Sequence, residues 1–283
     1  MQGVTNIANA LLESKQCLQK SNAEEAAVDA RLLLQDVLGC SSTYLYTYPE
    51  KILTAEESRQ FATQVQRRST GEPIAYIIGH REFWGLKLAV SSATLIPRPE
   101  TELLVEVALE LIQSSNASVL DLGTGTGAVA LAIASEKAGW DVVGVDRVDA
   151  AISLAINNKK NLSIKNVDFH VSNWFSAVAR KRFSAIVTNP PYVEEDSDYL
   201  NQGDLRFEPS SALTSGDSGL SDIYKIIDNS PNYLANNGWL MIEHGHTQAD
   251  SVAAYMNARG FDLVSTRCDL QQHPRVTIGC WLH

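Results

Sequence analysis

Ser118-Val119-Leu120-Asp121-Leu122-Gly123-Thr124-Gly125-Thr126-Gly127, running on into Ala128-Val129-Ala130-Leu131, decides the fold of this chain. Val119–Leu122 reads as a buried strand, the glycine-threonine repeat as a loop, and Ala128–Ser135 as a helix. Glycines let the backbone turn sharply and approach a ligand closely at a helix N-terminus, where free N–H groups meet it. The next apolar strand, Val142, Val143, Gly144 and Val145, ends in Asp146, nineteen residues beyond Gly127. A carboxylate there accepts both ribose hydroxyls of an adenosine. Gly123, Thr124, Gly125, Thr126, Gly127 and Asp146 therefore predict an adenosine-containing cofactor. Its identity stays open from these residues, because Gly123, Gly125 and Ala128 also fit the dinucleotide spacing G-x-G-x-x-G/A.

Working outward, strands are expected near 118–122, 141–146, 167–172, 183–188 and 239–244, with helices between them. A final antiparallel pair is expected near 261–267 and 275–282. Alternation of this kind gives an α/β fold, a mostly parallel sheet with helices on both faces. Pro231 falls inside the helical stretch 222–235 and predicts a kink or a split. Upstream, Pro97-Arg98-Pro99-Glu100-Thr101-Glu102 opens a helix, with Pro99 in its first turn and acids at its positive end. AYIIGHREFWGLKLAV, within 74–97, predicts short strands around a turn at Gly85, a hairpin linker. Residues 1–73 read as a helical bundle. Val4, Ile7, Ala8, Leu11 and Leu12 form one apolar face. Asn22 with Glu25 resembles an N-cap and its reciprocal acid, ahead of Val28, Leu32, Leu33 and Val37. Thr54 with Glu57 makes a capping box for a helix that runs to about Arg68 before Gly71 and Pro73. The chain thus divides into 1–73, 74–97 and 98–283.

The strand FSAIVT at 183–188 leads directly into Asn189-Pro190-Pro191-Tyr192. Open α/β sheets bind ligands at this carboxyl edge. Proline has no N–H and pushes the residue before it into an extended conformation. The Pro190 carbonyl is therefore expected to sit outside any ladder, beside the Asn189 side-chain oxygen. Two fixed acceptors suit an –NH2 group, and Tyr192 is placed to cover the flat group that carries it. A dehydrogenase needs a proton-transfer group near its hydride acceptor, and none is evident, so the pair favours methyl transfer from S-adenosylmethionine to nitrogen.

A length of 283 residues, 45% apolar and 20% charged, is ordinary for a soluble globular protein and allows a sizeable core. No run approaches the roughly 18 apolar residues of a membrane helix, and the N-terminus lacks a signal pattern. Cys17, Cys40, Cys268 and Cys280 are scattered, which predicts reduced thiols in a cytoplasmic protein and no zinc site. A net charge of −10 disfavours extended binding to nucleic acid. Arg67, Arg68 and Arg81 are candidates for a local basic patch, although the first two read better as a solvated helix face.

With these motifs in hand, the chain strongly resembles the release factor glutamine methyltransferases, the PrmC/HemK family. The resemblance covers nearly the whole length: LIPRPETE at 95–102, DLGTGTG at 121–127, Asp146, NWF at 173–175, NPPY at 189–192, GDLRFEP at 203–209 and EHG at 243–245. It implies a class I S-adenosylmethionine-dependent methyltransferase fold, Rossmann-like, behind an N-terminal helical bundle that recognises substrate. It also implies a substrate, the Gly-Gly-Gln glutamine of bacterial class-1 peptide chain release factors. By position, Trp174 and Asn189 join the glycine loop and Asp146 as cofactor contacts, and Asn189, Pro190, Pro191 and Tyr192 hold the glutamine. Asn173 departs from relatives that often carry Asp there, although its amide oxygen still accepts a hydrogen bond from an adenine amino group. The residues before Arg275 in QHPRVTIG do not align clearly.

In-line transfer needs neither a metal nor a covalent enzyme intermediate. His244 and His246 lack a third ligand at suitable spacing. Glu194, Glu195, Asp196 and Asp198 read as a solvated loop, with Arg206 and Glu208 as candidates to brace it. NPPY also occurs in adenine-N6 methyltransferases of nucleic acids, but those need a basic cleft. A non-catalytic binding module would not require an intact Asn189, Asp146 and glycine loop.

Overall fold

The computed structural model of the chain describes residues 5–21, 25–179 and 181–283. The helices α1 (Ile7–Lys20), α2 (Ala26–Leu38), α3 (Ser42–Thr47), α4 (Ala55–Ser69) and α5 (Ile74–Ile78) come first. They belong to a compact unit that ends at His80 and also takes in Asn201–Phe207. Its core holds Ile7, Leu18, Leu33, Leu34 and Phe61. In α1 the buried face is Ile7, Ala10, Ser14 and Leu18, whereas Ala8 and Leu12 are exposed. Ser14 can replace an apolar residue because its hydroxyl donates to the Ala10 carbonyl at 2.7 Å. Val4 and Asn22 lie outside the described residues. In α2, Val28 and Leu32 are exposed and Asp29 is buried instead, paired with Arg68 Nε at 2.8 Å. Arg68 also donates to Asp204 at 3.0 Å, so it is a half-buried ion-pair centre and not a freely solvated residue. Arg67 pairs with Glu72. Thr54 and Glu57 form the expected capping box at the start of α4.

Residues 74–78 are helical where strand was expected. The Pro73 carbonyl accepts the N–H groups of Tyr76 and Ile77, and Gly79, at φ 78°, stops the turn. Strands β1 (His80–Phe83) and β2 (Leu86–Ala89) follow, joined by Trp84 and Gly85. Both joining residues have positive φ, 53° and 68°, as a type I′ hairpin requires. Trp84 is held there by Glu102, which accepts its backbone N–H at 2.7 Å, and by Glu136, which accepts its indole N–H at 2.8 Å.

The second compact unit comprises Arg81–Leu200 and Glu208–His283. After β2 it runs through α6 (Glu102–Leu111), β3 (Ser118–Leu122), α7 (Ala128–Glu136), β4 (Asp141–Asp146), α8 (Asp149–Leu162), β5 (Val167–Val171) and β6 (Phe183–Thr188). It closes with α9 (Ser221–Asn229), β7 (Leu234–Glu243), α10 (Ala249–Ala258), β8 (Asp262–Cys268) and β9 (Pro274–Trp281). Among the described residues these strands make a seven-stranded sheet in the order β5-β4-β3-β6-β7-β9-β8. The first five pair in parallel, and β9 runs antiparallel to both β7 and β8. Helices α6, α7 and α8 bury apolar residues against one face, including Leu104, Leu131 and Ala155. α9 and α10 cover the other through Ile223, Ile227 and Met256. Pro231 does split its stretch: α9 stops at Asn229, Pro231 sits in a 3-10 turn, and β7 has already begun at Leu234. The strand order reverses between β3 and β6. That is the topological switch point, and the glycine loop and NPPY both stand at its carboxyl edge.

Candidate active site

Gly123, Gly125 and Gly127 have φ of 72°, 54° and 82°, a conformation that costs other residues energy. Gly127 is also hemmed in, since a Cβ there would lie 2.9 Å from the Phe169 ring and 3.1 Å from Ala155. The loop is tied to the end of β4: Gly123 and Thr124 N–H both donate to the Val145 carbonyl at 2.9 Å. Asp146 organises it further, its Oδ2 accepting Gly125 N–H at 3.0 Å and its Oδ1 accepting Val148 N–H at 2.9 Å. Beneath the loop, Asp121 accepts the Thr124 hydroxyl at 2.6 Å. Burial pushes its carboxyl up to about 7, the charge of Asp146 adding to the rise and the Thr124 bond opposing it. Trp174 stands in the left-handed region at φ 50°, its carbonyl accepting from the Ser172 hydroxyl, and packs its ring over Gly123. A large side chain in that conformation is strained and must be held by its surroundings.

These groups face a cleft whose empty volume, counted out to solvent, is ≈ 970 Å³. It brings together Gly123, Thr124, Gly125, Thr126, Asp146, Trp174, Asn189 and Pro191, and Asn173 as well. Gly127, Pro190 and Tyr192 are not in its lining. Thr94, Arg98, Thr101, Asp121 and Ser211 are, although no sequence argument had assigned them to a ligand site. Thr101 and Arg98 lie within PRPETE, which the sequence marks only as the start of a helix.

At the other strand end, Thr188 Oγ1 donates to the Leu122 carbonyl at 2.7 Å, tying β6 to β3. Asn189 Nδ2 donates to Thr101 Oγ1 at 3.0 Å. The Tyr192 carbonyl accepts Gln248 Nε2 at 3.0 Å, and Gln248 Oε1 accepts Gly245 N–H at 2.9 Å. Burial and the nearby charge of Glu243 push the Tyr192 phenol up, so it stays protonated. Glu243, 2% exposed at the end of β7, lies beside Thr101 and Asn189, and burial pushes its carboxyl up to about 7 while those two neighbours oppose the rise. The Glu208 carboxylate takes Arg98 at 2.6 Å and Ile96 N–H at 3.2 Å, bracing PRPETE. Glu194, Glu195, Asp196 and Asp198 are exposed.

His244 lies past the end of β7 and is fully buried, its Nε2 2.7 Å from Thr277 Oγ1 and its Nδ1 2.9 Å from the Gly245 carbonyl. Burial lowers its pKa, so it stays neutral. Among the described residues no group of three His, Cys, Asp or Glu is arranged to hold a metal ion. Nor is any described helix long and apolar enough to cross a membrane.

Residues 9–79 match the PrmC N-terminal domain family, and residues 113–273 match a methyltransferase domain family. The release factor glutamine methyltransferase of Shewanella oneidensis is 48% identical over 93% of this chain and 92% of its own length. That of Pseudomonas aeruginosa is 46% identical over 98% and 99%, and that of Escherichia coli (strain K12) 46% identical over 92% and 94%. Among solved structures, the hMettl16 catalytic domain in complex with MAT2A 3'UTR hairpin 6 superposes with a TM-score of 0.58 at 14% identity, over 86% of this chain and 93% of that one. A methyltransferase from Pyrococcus furiosus gives 0.54 at 16% identity, over 77% and 98%. At such identities the likeness is one of fold, and it is the class I methyltransferase fold. The curated relatives go further: this chain belongs to the release factor glutamine methyltransferases.

Proposed function

We propose that this enzyme methylates the side-chain amide nitrogen, N5, of the glutamine in the Gly-Gly-Gln motif of bacterial class-1 peptide chain release factors, with S-adenosylmethionine as donor. The observation that carries the reading is the shared cleft: Asp146 and Asn189 line one cavity at the switch point. The residues present fit the donor. The cleft sets the glycine loop, Trp174 and Asp146 around one space, and Asp146 retains free lone pairs for ribose hydroxyls. Gly123, Thr124, Gly125, Thr126, Gly127, Asp146, Trp174 and Asn189 are the residues assigned to hold it. When bound, it supplies an electrophilic methyl group on a sulfonium.

The work left to the protein is to make an amide nitrogen react, although its lone pair is delocalised into the carbonyl. In the proposed mechanism the Asn189 oxygen and the Pro190 carbonyl each accept one N–H of the substrate amide. That fixes the nitrogen in line for transfer and offsets the positive charge that develops on it. Alignment contributes up to about 7–11 kcal/mol in favourable cases, and one preorganised polar contact roughly 3–4 kcal/mol. The methylated, N-protonated amide is strongly acidic and loses its proton to water, so no dedicated base is required. Pro191 and Tyr192 are assigned to pack against the substrate amide.

Residues 1–73 are proposed as the surface that recognises the folded release factor, 74–97 as the linker and 98–283 as the methyltransferase domain, acting in the cytoplasm without direct contact to nucleic acid. The test is intact-mass analysis of a release factor incubated with the enzyme and S-adenosylmethionine, followed by peptide mapping. One added methyl on the Gly-Gly-Gln peptide is the expected result, and a methyl mapped elsewhere would sink the reading. A chain starting at Arg81 is expected to keep cofactor affinity and to methylate intact release factor far more slowly. A short Gly-Gly-Gln peptide should lose little by comparison.

A further inference from the structure

Glu243 has no part in that mechanism, yet it is a nearly inaccessible carboxyl beside the group that does the positioning. The register Thr188↔Ile242 brings Asn189 and Glu243 to the same edge of β6 and β7. Asn189 Nδ2 donates to Thr101 Oγ1 at 3.0 Å, and both side chains stand beside the Glu243 carboxyl, where each favours its ionised form. An ionised carboxylate only accepts hydrogen bonds. With Glu243 ionised, Thr101, which already receives an N–H from Asn189, has its own proton to give to the carboxylate, and the second N–H of Asn189 is free to turn to it. In that arrangement both amide hydrogens of Asn189 are used inside the protein. Its Oδ1 is the atom left for the cleft that Asn189 lines.

The surrounding charges do not neutralise Glu243. Arg275, on β9, donates to Asp269 at 3.0 Å, and Arg98 donates to Glu208 at 2.6 Å. Glu100 adds negative charge from the turn before α6, and Tyr192 is protonated. Glu243 Oε2 has no hydrogen-bond partner among the described residues. A negative charge set beside Thr101 and Asn189 polarises the Asn189 amide, drawing its electrons toward Oδ1.

We propose that Glu243 and Thr101 are positioning residues for methyl transfer: they take both amide hydrogens of Asn189, present its oxygen to the substrate nitrogen, and make that oxygen more negative as the nitrogen gains positive charge. This role rests on glutamine N-methylation being the reaction. Burial, with Glu100 adding to it and Thr101, Arg275 and Asn189 opposing, brings the Glu243 carboxyl to about 7. Turnover should therefore climb with pH across that value, as the ionised form takes over.

The experiment uses the full-length enzyme, intact release factor and S-adenosylmethionine, with kcat and KM measured from about a unit below to a unit above pH 7, and cofactor Kd by calorimetry. Glu243→Gln should lower kcat by about tenfold or more and flatten its pH profile, with KM and cofactor Kd within about twofold of the parent. Thr101→Val should lose kcat in the same way, and Thr101→Ser should restore it, so the role is testable even if Glu243→Gln fails to fold. Wild-type kcat in both Glu243→Gln and Thr101→Val would overturn the proposal. So would an acid limb that survives in Glu243→Gln and disappears in Asp121→Asn, because Asp121 is also brought to about 7. A wild-type enzyme that leaves release factor unmethylated would overturn the glutamine reading itself, whereas these other outcomes remove only the positioning role.

Discussion

The loop assigned to the cofactor is assembled from neighbours in sequence, whereas the turn assigned to the substrate amide is held by side chains from far along the chain. Thr124 reaches Asp121 across three residues, and Gly125 reaches Asp146 across twenty-one. Asn189 and Thr101 are 88 residues apart, Tyr192 and Gln248 56, and Ile96 and Glu208 112. One end can form as soon as β3, α7 and β4 are in place. The other needs the whole sheet through β7 and the turn before α6. This difference predicts that substitutions in the loop act on cofactor binding and substitutions around the turn act on turnover.

Asn189→Ala is the most severe test of that division. It removes the proposed acceptor for the substrate N–H, a contact used mainly in the transition state. Turnover on release factor is expected to fall about a hundredfold or more, with a much smaller change in cofactor Kd. Steady-state kinetics beside calorimetry check it, and near-normal turnover would end the acceptor-pair mechanism.

Asp146→Ala should give the opposite profile. Losing a charged acceptor for the ribose hydroxyls costs about 1.5–3 kcal/mol, a rise in cofactor Kd of roughly ten- to a hundredfold. The side chain also accepts the N–H groups of Gly125 and Val148, so the loop itself should loosen. Hydrogen exchange at Gly125 is expected to speed up in the variant. An unchanged Kd would remove Asp146 from the cofactor site.

Each end also carries one buried carboxyl raised to about 7, Asp121 under the loop and Glu243 under the turn. An unfolded chain releases those protons near pH 4. Between about pH 4 and pH 7 the folded state therefore holds more protons, and the associated stability, full at low pH, is lost as pH rises through 7. Asp121→Asn should flatten part of that decline, gaining urea midpoint on the parent as pH is raised. Parallel midpoint curves for the two proteins would show that Asp121 does not titrate in this range.

Legibility follows the same division. The strands, the glycine loop and Asp146 could be read from the sequence because their cause is local: an apolar run, a turn that only glycine tolerates, an acid at a strand end. The capping box at Thr54 and the interruption at Pro231 were legible for the same reason. Thr101, Glu243 and Gln248 were not, since nothing in their own neighbourhoods says which strand end they will meet. Residues 74–78 misled because Ile and Tyr suit a strand, while Pro73 and Gly79 enclose one short helical turn. The apolar faces of α1 and α2 misled because buried polar groups, Ser14 bonded to its own helix and Asp29 paired with Arg68, stand where apolar residues were sought.

The smallest effect is expected at Gln248, which reaches the turn through backbone alone. Its amide joins Gly245 N–H at 2.9 Å to the Tyr192 carbonyl at 3.0 Å and the Ser218 carbonyl at 3.3 Å. Gln248→Leu keeps the approximate volume and removes every one of these bonds. Each is worth about 1 kcal/mol net, so stability should fall by about 1–3 kcal/mol in urea titration. Turnover should fall several-fold as Tyr192 loses its anchor, with cofactor Kd unchanged. Gln248→Glu sharpens the point, because it retains an acceptor for Gly245 but turns an oxygen toward the Tyr192 carbonyl. Its turnover should resemble that of the leucine variant, even if its stability recovers in part. If cofactor Kd rises in these variants as much as turnover drops, the two ends of the cleft respond as one unit, and the separation drawn between them does not hold.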